Sequence, residues 1–260
     1  MKKAIFLILI YFVCQFAATL PFIAWHLIQG TPSPLEMTDT TELSLSVILA
    51  DIMMIAHLLF WKDVSFKARS FTEVPGKMLL LCIPLVLSAM YILNVINEWL
   101  ALPNWGESTF TGMSRNLWGV IAIAIGAPLV EEMLFRGAVM NHLHKAGYSS
   151  RFIIVISAVL FGLVHINPAQ IPFAFALGLL LAWLYYRTGS LVPGILCHFI
   201  NNGLGALTLQ SDYYSEATYT ELLGGPTNLA ISMVAAFAVF VTAFIYAYRN
   251  LHRINKQFAE

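Results

Sequence analysis

The stretch that decides the fold is 117–142, LWGVIAIAIGAPLVEEMLFRGAVMNH. It is long and apolar enough to cross a bilayer as a helix, for which about 20 residues suffice. Its centre nevertheless carries Glu131, Glu132 and Arg136. A charge at the middle of a spanning helix costs about 2.5–3.5 kcal/mol on insertion scales, so such residues need compensation or a function. The stretch therefore predicts a membrane location and a polar site inside the membrane.

The composition of the whole chain supports a membrane protein. Of its 260 residues, 59% are hydrophobic and 11% are charged, the mean hydropathy is +0.76 and the formal net charge is zero. A soluble domain has about 25% charged residues, so this chain cannot cover a water-soluble globule with polar surface. No basic block indicates nucleic acid as a partner. The three cysteines lack paired spacing, so we expect neither a disulfide nor a thiolate metal site.

Eight apolar segments predict an all-α, polytopic membrane bundle of about eight transmembrane helices. The predicted spans are 4–27, 43–61, 78–96, 117–142, 152–166, 171–186, 191–209 and 229–248. We expect one integrated membrane domain with three parts. These are three N-terminal spans in 1–114, a core of four spans in 115–210, and an outer loop, last span and cytoplasmic tail in 211–260.

The positions of lysine and arginine predict the orientation, because cytoplasmic loops are enriched in these residues. With the N-terminus inside, thirteen of the fourteen cations fall on the inner side, and only Arg115 falls outside. The inner cations are Lys2, Lys3, Lys62, Lys67, Arg69, Lys77, Arg136, Lys145, Arg151, Arg187, Arg249, Arg253 and Lys256. Both termini are therefore predicted to be cytoplasmic.

Two further spans contribute polar side chains at the depth of Glu131. The fifth span contains His165, and the seventh contains His198 and Asn202, which share a helical face. At about 1.5 Å per residue from the inner helix ends, these groups lie between the inner half and the middle of the hydrocarbon core. A lone histidine in a spanning helix is usually an interhelical hydrogen-bonding group. Four polar residues at one depth, Glu131, His165, His198 and Asn202, instead predict a functional site.

The charged residues of the fourth span are expected to differ in role. Glu132 and Arg136 are four residues apart and can neutralise each other, so we interpret them as a structural pair that holds Glu131 in place. Glu131 points about 100° away from Glu132, so its partner must come from another helix. Pro128 removes a backbone hydrogen bond and predicts a kink near the site.

Other reactive or buried groups are interpreted as accessory. Asp51 and His57 in the second span lie on different faces and read as separate packing or accessory groups. Cys197 adjoins His198, so the two side chains diverge by about 100° and form no dyad. Ser157 lies about 12 Å before the histidine of its own span, out of hydrogen-bond reach.

These residues resemble the CPBP family, the CAAX-protease-and-bacteriocin-processing (Abi) group of intramembrane proteases, and are similar to the core of the type II CAAX prenyl endopeptidases. The motifs EExxxR, FxxxH and HxxxN/D mark that family. Here they read EEMLFR at 131–136, FGLVH at 161–165 and HFINN at 198–202. The resemblance covers 115–210 and implies intramembrane endopeptidase activity. It implies catalytic residues Glu131, His165, His198 and Asn202, with support from Glu132, Arg136 and Phe161.

The residue types suffice for amide hydrolysis by an activated water. Glu131 is expected to deprotonate the water while His165 helps to hold and polarise it. His198 and Asn202 can donate hydrogen bonds to the developing oxyanion.

A metal-dependent alternative uses the same side chains. Glu131, His165 and His198 would ligate zinc and leave a position for water, and the resemblance also implies such a metal. The chain lacks HExxH, and Glu131 as a ligand leaves the general base undefined. We therefore favour the metal-free mechanism.

Two other function classes stay open. A transporter or channel would use the buried glutamates and histidines as an ion path, but it predicts inverted repeats or paired broken helices, and the sequence shows neither. A non-proteolytic membrane regulator has no need of these costly residues.

The resemblance implies a membrane-associated or lipidated peptide or protein as substrate, without identifying it. Short loops and the lack of a segment resembling an organelle-targeting signal favour a prokaryotic plasma membrane, with lipids as surroundings. We expect the site to open toward the cytoplasm or laterally to lipid. The sequence does not indicate the oligomeric state.

Overall fold

The computed structural model describes residues 1–31, 39–64, 71 and 74–251. Within these ranges all regular elements are helices. In chain order they are α1 (Lys2–Gln29), α2 (Thr40–Phe60), α3 (Gly76–Leu100), α4 (Glu107–Ser114), α5 (Leu117–Lys145), α6 (Ser150–Leu163), α7 (Ile171–Thr188), α8 (Val192–Thr208), α9 (Asp212–Glu216), α10 (Tyr219–Leu222) and α11 (Pro226–Leu251).

The predicted all-α membrane bundle is confirmed. Among the described residues, six helices (α1, α2, α3, α5, α7 and α11) are long and apolar enough to cross a membrane. The other two predicted spans correspond to α6 with 14 residues and α8 with 17. At about 1.5 Å per residue both are shorter than a hydrocarbon core of about 30 Å. The predicted number of eight full spans is therefore approximate.

Side-chain contacts define one end of the bundle, here called the N-terminal face because α1 begins there. Asp63, just beyond α2, contacts Lys3 Nζ at 3.3 Å and His142 Nε2 at 2.7 Å. The end of α5 meets the end of α7 where Asn141 Nδ2 donates to Tyr185 Oη at 2.9 Å. The start of α1 and the ends of α2, α5 and α7 therefore share this face.

The other end is called the opposite face. His26 Nε2 lies 2.8 Å from Glu42 Oε2 and joins α1 to α2, while Arg115 pairs with Asp212. Asp39 accepts the Thr41 N–H at 2.6 Å and caps α2. That hydrogen bond holds the pKa of the Asp39 carboxyl below its ordinary value.

The distribution of cations on these faces agrees with the predicted alternation where the chain is described. Lys3, Lys145 and Arg187 lie at the N-terminal face, and Arg115 lies at the opposite face. The predicted inner cations outside the described residues are Lys67, Arg69, Arg253 and Lys256. Which face contacts the cytoplasm stays a prediction.

The central helix α5 is irregular, and this irregularity shapes the site. Ala122–Gly126 and Glu132–Met140 are wound as π-helix, in which an N–H bonds five residues back. All nine residues of Glu132–Met140 are buried. The disturbance predicted from Pro128 thus takes the form of π-helical winding that begins before the proline.

The boundary of α6 differs from the predicted one. We predicted a helical span to residue 166, but α6 ends at Leu163 and Ile166 has a φ of 58°. A Cβ at Gly162 would lie 3.1 Å from the carbonyl oxygen of Ile171, so glycine permits α7 to pass close by. At about 1.5 Å per residue, α6 rises only about 21 Å.

Candidate active site

The predicted pair of Glu132 and Arg136 is present and fully buried. Arg136 Nη1 lies 2.9 Å from Glu132 Oε1, and both side chains are 0% exposed. Arg136 Nη2 also donates to the carbonyl of Gly178 on α7 at 3.0 Å. The arginine therefore neutralises Glu132 and fixes α5 against α7.

Phe161 connects this pair to both predicted histidines. Its ring lies 4.4 Å beneath the guanidinium carbon of Arg136. The ring centroid is 5.1 Å from that of His165 and 5.5 Å from that of His198, with edge-to-face geometry in both cases. This aromatic side chain restricts the rotation of two imidazoles at once, which supports its predicted supporting role.

His198 stands between the two glutamates of α5. Its Nδ1 is 3.3 Å from Glu132 Oε1, and its Nε2 is 3.7 Å from Glu131 Oε2. The predicted partner of Glu131 on another helix is thus His198 of α8. A Cβ at Gly194 would lie 2.6 Å from Glu132 Oε2, so α8 can approach α5 this closely only with glycine there. Glu132 thus contacts His198, and the sequence did not reveal this contact.

His165 lies in the turn after α6 rather than on the helix. Its Nδ1 is 2.8 Å from the carbonyl oxygen of Phe161. Because a carbonyl can only accept, Nδ1 carries the hydrogen, and in the neutral ring Nε2 is an acceptor. That nitrogen can accept a hydrogen bond from water.

Asn202 has a partner on the irregular part of α5. Its Nδ2 donates to the carbonyl of Ile123 at 2.9 Å, and its Oδ1 accepts from Asn201 Nδ2 at 3.0 Å. An amide nitrogen has two hydrogens, so Asn202 retains a second donor.

A cavity of about 600 Å³ inside the bundle is lined by Glu131, His165 and Asn202. His198 is not part of this lining and lies behind Glu131. The structure therefore brings three of the four predicted residues to one cavity, while the fourth contacts the first from the side.

The cavity extends toward the opposite face. Its lining includes Asn104, Glu107 and Thr109, which are exposed there. We expected an opening toward the cytoplasm or laterally to lipid; the opposite face would be the outer one in the predicted orientation, and which face is cytoplasmic stays a prediction. The buried residues Glu132–Met140 close the N-terminal side, whereas the turn after the short α6 borders the cavity at the opposite end.

The predicted zinc ligands do not form a compact set. In the described part of the chain, no three histidine, cysteine or acidic side chains are close enough together to hold a metal ion. Glu131 and His198 are adjacent, with the second nitrogen of His198 on Glu132, but His165 does not complete a compact set of three with them.

Asp51 belongs to the surroundings of the site, although the sequence indicated only a packing or accessory group. It is 3% exposed, and neither carboxylate oxygen has a hydrogen-bond partner among the described residues. Oδ2 lies 2.5 Å from the position that a Cβ of Gly126 would occupy. Only its burial in the tertiary structure reveals this contact with α5.

Cys197 and Ser157, which were not expected to act as nucleophiles, point away from the cavity. The thiol of Cys197 faces the carbonyl of Cys82 at 3.9 Å, and Ser157 Oγ faces the carbonyl of Phe135 at 3.5 Å. Cys14, Cys82 and Cys197 are all free, and all three are buried.

Comparisons with known proteins concern the part of the chain that carries the three motifs. Residues 113–204 match the family described as Type II CAAX prenyl endopeptidase Rce1-like. The chain is also similar to the Membrane-embedded CAAX protease MroQ of Staphylococcus aureus (strain USA300), with 32% identity over 89 residues, covering 32% of this chain and 36% of the relative. The match thus spans about a third of that relative's length. No solved structure matches the chain. The predicted family resemblance is confirmed for this segment.

Proposed function

We propose that this chain is an intramembrane endopeptidase of the CAAX-protease type, since the segment that matches Rce1-like endopeptidases builds its central cavity. The substrate we propose is a membrane-associated or lipidated peptide or protein. The observation that supports the proposal is that Glu131, His165 and Asn202 all line one cavity. A carboxylate base, an imidazole acceptor and an amide donor are the groups that amide hydrolysis requires.

The reaction follows from these positions. Glu131 takes a proton from a water that also donates to Nε2 of His165, and the resulting hydroxide adds to the peptide carbonyl. The free N–H of Asn202 donates to the oxyanion that forms. When the C–N bond breaks, the proton held by Glu131 passes to the leaving amine. No redox step or additional reactant is needed.

His198 has a different role in this mechanism from the oxyanion donor predicted from the sequence. Both of its nitrogens face carboxylates, Nδ1 toward Glu132 and Nε2 toward Glu131. We propose that it orients Glu131 and stabilises its negative charge, with Glu132 and Arg136 as its support. We propose the metal-free mechanism because, among the described residues, the three predicted zinc ligands do not form a compact set.

We further propose that the protein is a multi-pass protein of a prokaryotic plasma membrane. The site lies at membrane depth, and the cavity leads to the opposite face, so the scissile segment enters from that face. Surrounding lipids then hold the membrane-associated part of the substrate.

The test is cleavage of a panel of membrane-anchored peptides, with and without a lipid chain, by purified protein in lipid nanodiscs. Glu131→Gln and His165→Ala are compared with Glu216→Gln, which changes an exposed glutamate on the short α9. Loss of a general base lowers kcat by about 10²–10⁴-fold. The control should cleave like wild type. Equal cleavage by folded Glu131→Gln and wild type would sink the proposal.

A further inference from the structure

The connector between α3 and α4 is fastened to the turn that carries His165. Asn167 in that turn is 6% exposed and makes two of the joining hydrogen bonds. The bonds are Asn167 Nδ2 to Asn104 Oδ1 at 2.7 Å, Trp105 N to Asn167 Oδ1 at 3.1 Å, and Ala169 N to Pro103 O at 3.2 Å. The connector therefore holds a fixed position relative to the proposed catalytic histidine.

A second cavity of about 590 Å³ lies beside this connector on the opposite face. Asn104 and Glu107 line both this cavity and the one that contains Glu131. The remaining lining comes from the connector and the exposed side of α4 and is mostly polar, including Ser108 and Thr111. A peptide that leaves the inner cavity at the opposite face therefore passes Glu107.

Glu107 provides an unneutralised negative charge at this junction. It is exposed, and within the described ranges its carboxylate forms no ion pair and accepts no hydrogen bond. Arg115, the cation in the lining of the second cavity, is paired with Asp212. Trp105 in the same lining is 70% exposed and offers the face of an indole. A carboxylate beside an exposed indole is suited to bind a cation.

We propose that Glu107 and Trp105 form a binding site for a cationic group of the substrate, a lysine or arginine side chain or a free terminal ammonium, on the part of the peptide that leaves the cavity. This inference rests on the proposed peptidase function. The site determines which peptides are held and takes no part in bond cleavage. Its effect is therefore on KM rather than on kcat.

The experiment uses membrane-anchored peptides of one cleavable sequence in which a single lysine is moved along the segment outside the anchor, together with a lysine-free peptide. Wild type, Glu107→Gln and Trp105→Ala are compared in nanodiscs, with Glu216→Gln as the matched control. For the best lysine peptide, wild type should show a lower KM than for the lysine-free peptide. Glu107→Gln should raise that KM about two- to fivefold, as expected for an exposed charge pair, with kcat unchanged.

Two further readouts separate recognition from a structural role. Added salt should reduce the wild-type preference and leave Glu107→Gln unaffected, because exposed charges are screened. Glu107→Lys should reverse the preference toward a peptide with glutamate at the same position. A KM that is the same for lysine and lysine-free peptides in wild type, or that changes equally for both in Glu107→Gln, overturns the inference. If cleavage nevertheless requires Glu131, the proposed function stands; if cleavage is indifferent to Glu131, that function fails instead.

Discussion

The side-chain amide of Asn202 donates a hydrogen bond of 2.9 Å to the main-chain carbonyl of Ile123. In the π-helical part of α5, the N–H of Ala127 donates to the carbonyl of Ala122, five residues back. In the same register, the carbonyl of Ile123 would accept from the N–H of residue 128. Pro128 has no N–H, and the carbonyl of Ile123 is left without a helical partner. Asn202 supplies that partner and is thereby held at the cavity wall.

This relationship predicts the stability of Asn202 variants. Asn202→Ala should lower the free energy of unfolding by about 1 kcal/mol, because a partly buried carbonyl loses its partner. Pro128→Ala restores an N–H, so Pro128→Ala/Asn202→Ala should recover part of the lost stability but none of the lost peptidase activity. Thermal unfolding in detergent and kcat measure the two effects. A double variant as unstable as Asn202→Ala would contradict the account.

The buried pair of Glu132 and Arg136 predicts a non-additive pair of substitutions. Arg136→Met alone should cost about 3–5 kcal/mol of stability because Glu132 is left charged and buried without it. Glu132→Leu/Arg136→Met should be more stable than Arg136→Met. It should remain inactive, since His198 loses its contact with Glu132. Unfolding midpoints for the wild type, both single variants and the double variant complete the cycle; additive losses would refute the coupling.

Asp51 predicts a substitution that stabilises the protein. Asp51→Asn removes a carboxylate that is buried without a partner and should raise the free energy of unfolding by about 1–3 kcal/mol. Ser46→Ala is the control, because Ser46 Oγ bonds only within α2, to the carbonyl of Leu43 at 2.8 Å. Its unfolding temperature should stay close to that of wild type. A lower unfolding temperature for Asp51→Asn than for wild type would show that the carboxylate has a stabilising partner.

The proposed metal-free mechanism predicts the metal content of active protein. Purified wild type should contain no stoichiometric zinc, and chelators should leave its peptidase activity unchanged. Elemental analysis is carried out on wild type, His165→Ala and His198→Ala in parallel. Stoichiometric zinc in active wild type that disappears in both variants would replace our mechanism with the metal-dependent one.

The position of the cavity predicts which side of the membrane the substrate reaches. The three native cysteines are buried, so wild type should react little with a membrane-impermeant maleimide. In intact cells, Thr109→Cys at the cavity rim should be labelled, whereas Lys145→Cys at the N-terminal face should be labelled only after lysis. Both positions are exposed. The reverse pattern would show that the predicted orientation is wrong and that the cavity faces the cytoplasm.

The sequence by itself determined the features that depend on distance along one helix. Apolar runs fixed the membrane-helical fold, because about 20 residues of uniform hydropathy leave few alternatives in a bilayer. The spacing of Glu132 and Arg136 fixed their ion pair, since residues four apart lie on one helical face. Helical rise also predicted a similar depth for Glu131, His165, His198 and Asn202, a prediction that holds only as far as each residue lies on its helix.

Only the tertiary structure decided how those helices are rotated and where they stop. The close approach of α7 at Gly162 accompanies the early end of α6, which leaves His165 in a turn and opens the cavity toward the opposite face. Packing of α8 at Gly194 turns His198 toward two glutamates instead of into the cavity. Depth follows from local geometry, whereas rotation about a helix axis is set by contacts between residues far apart in the chain.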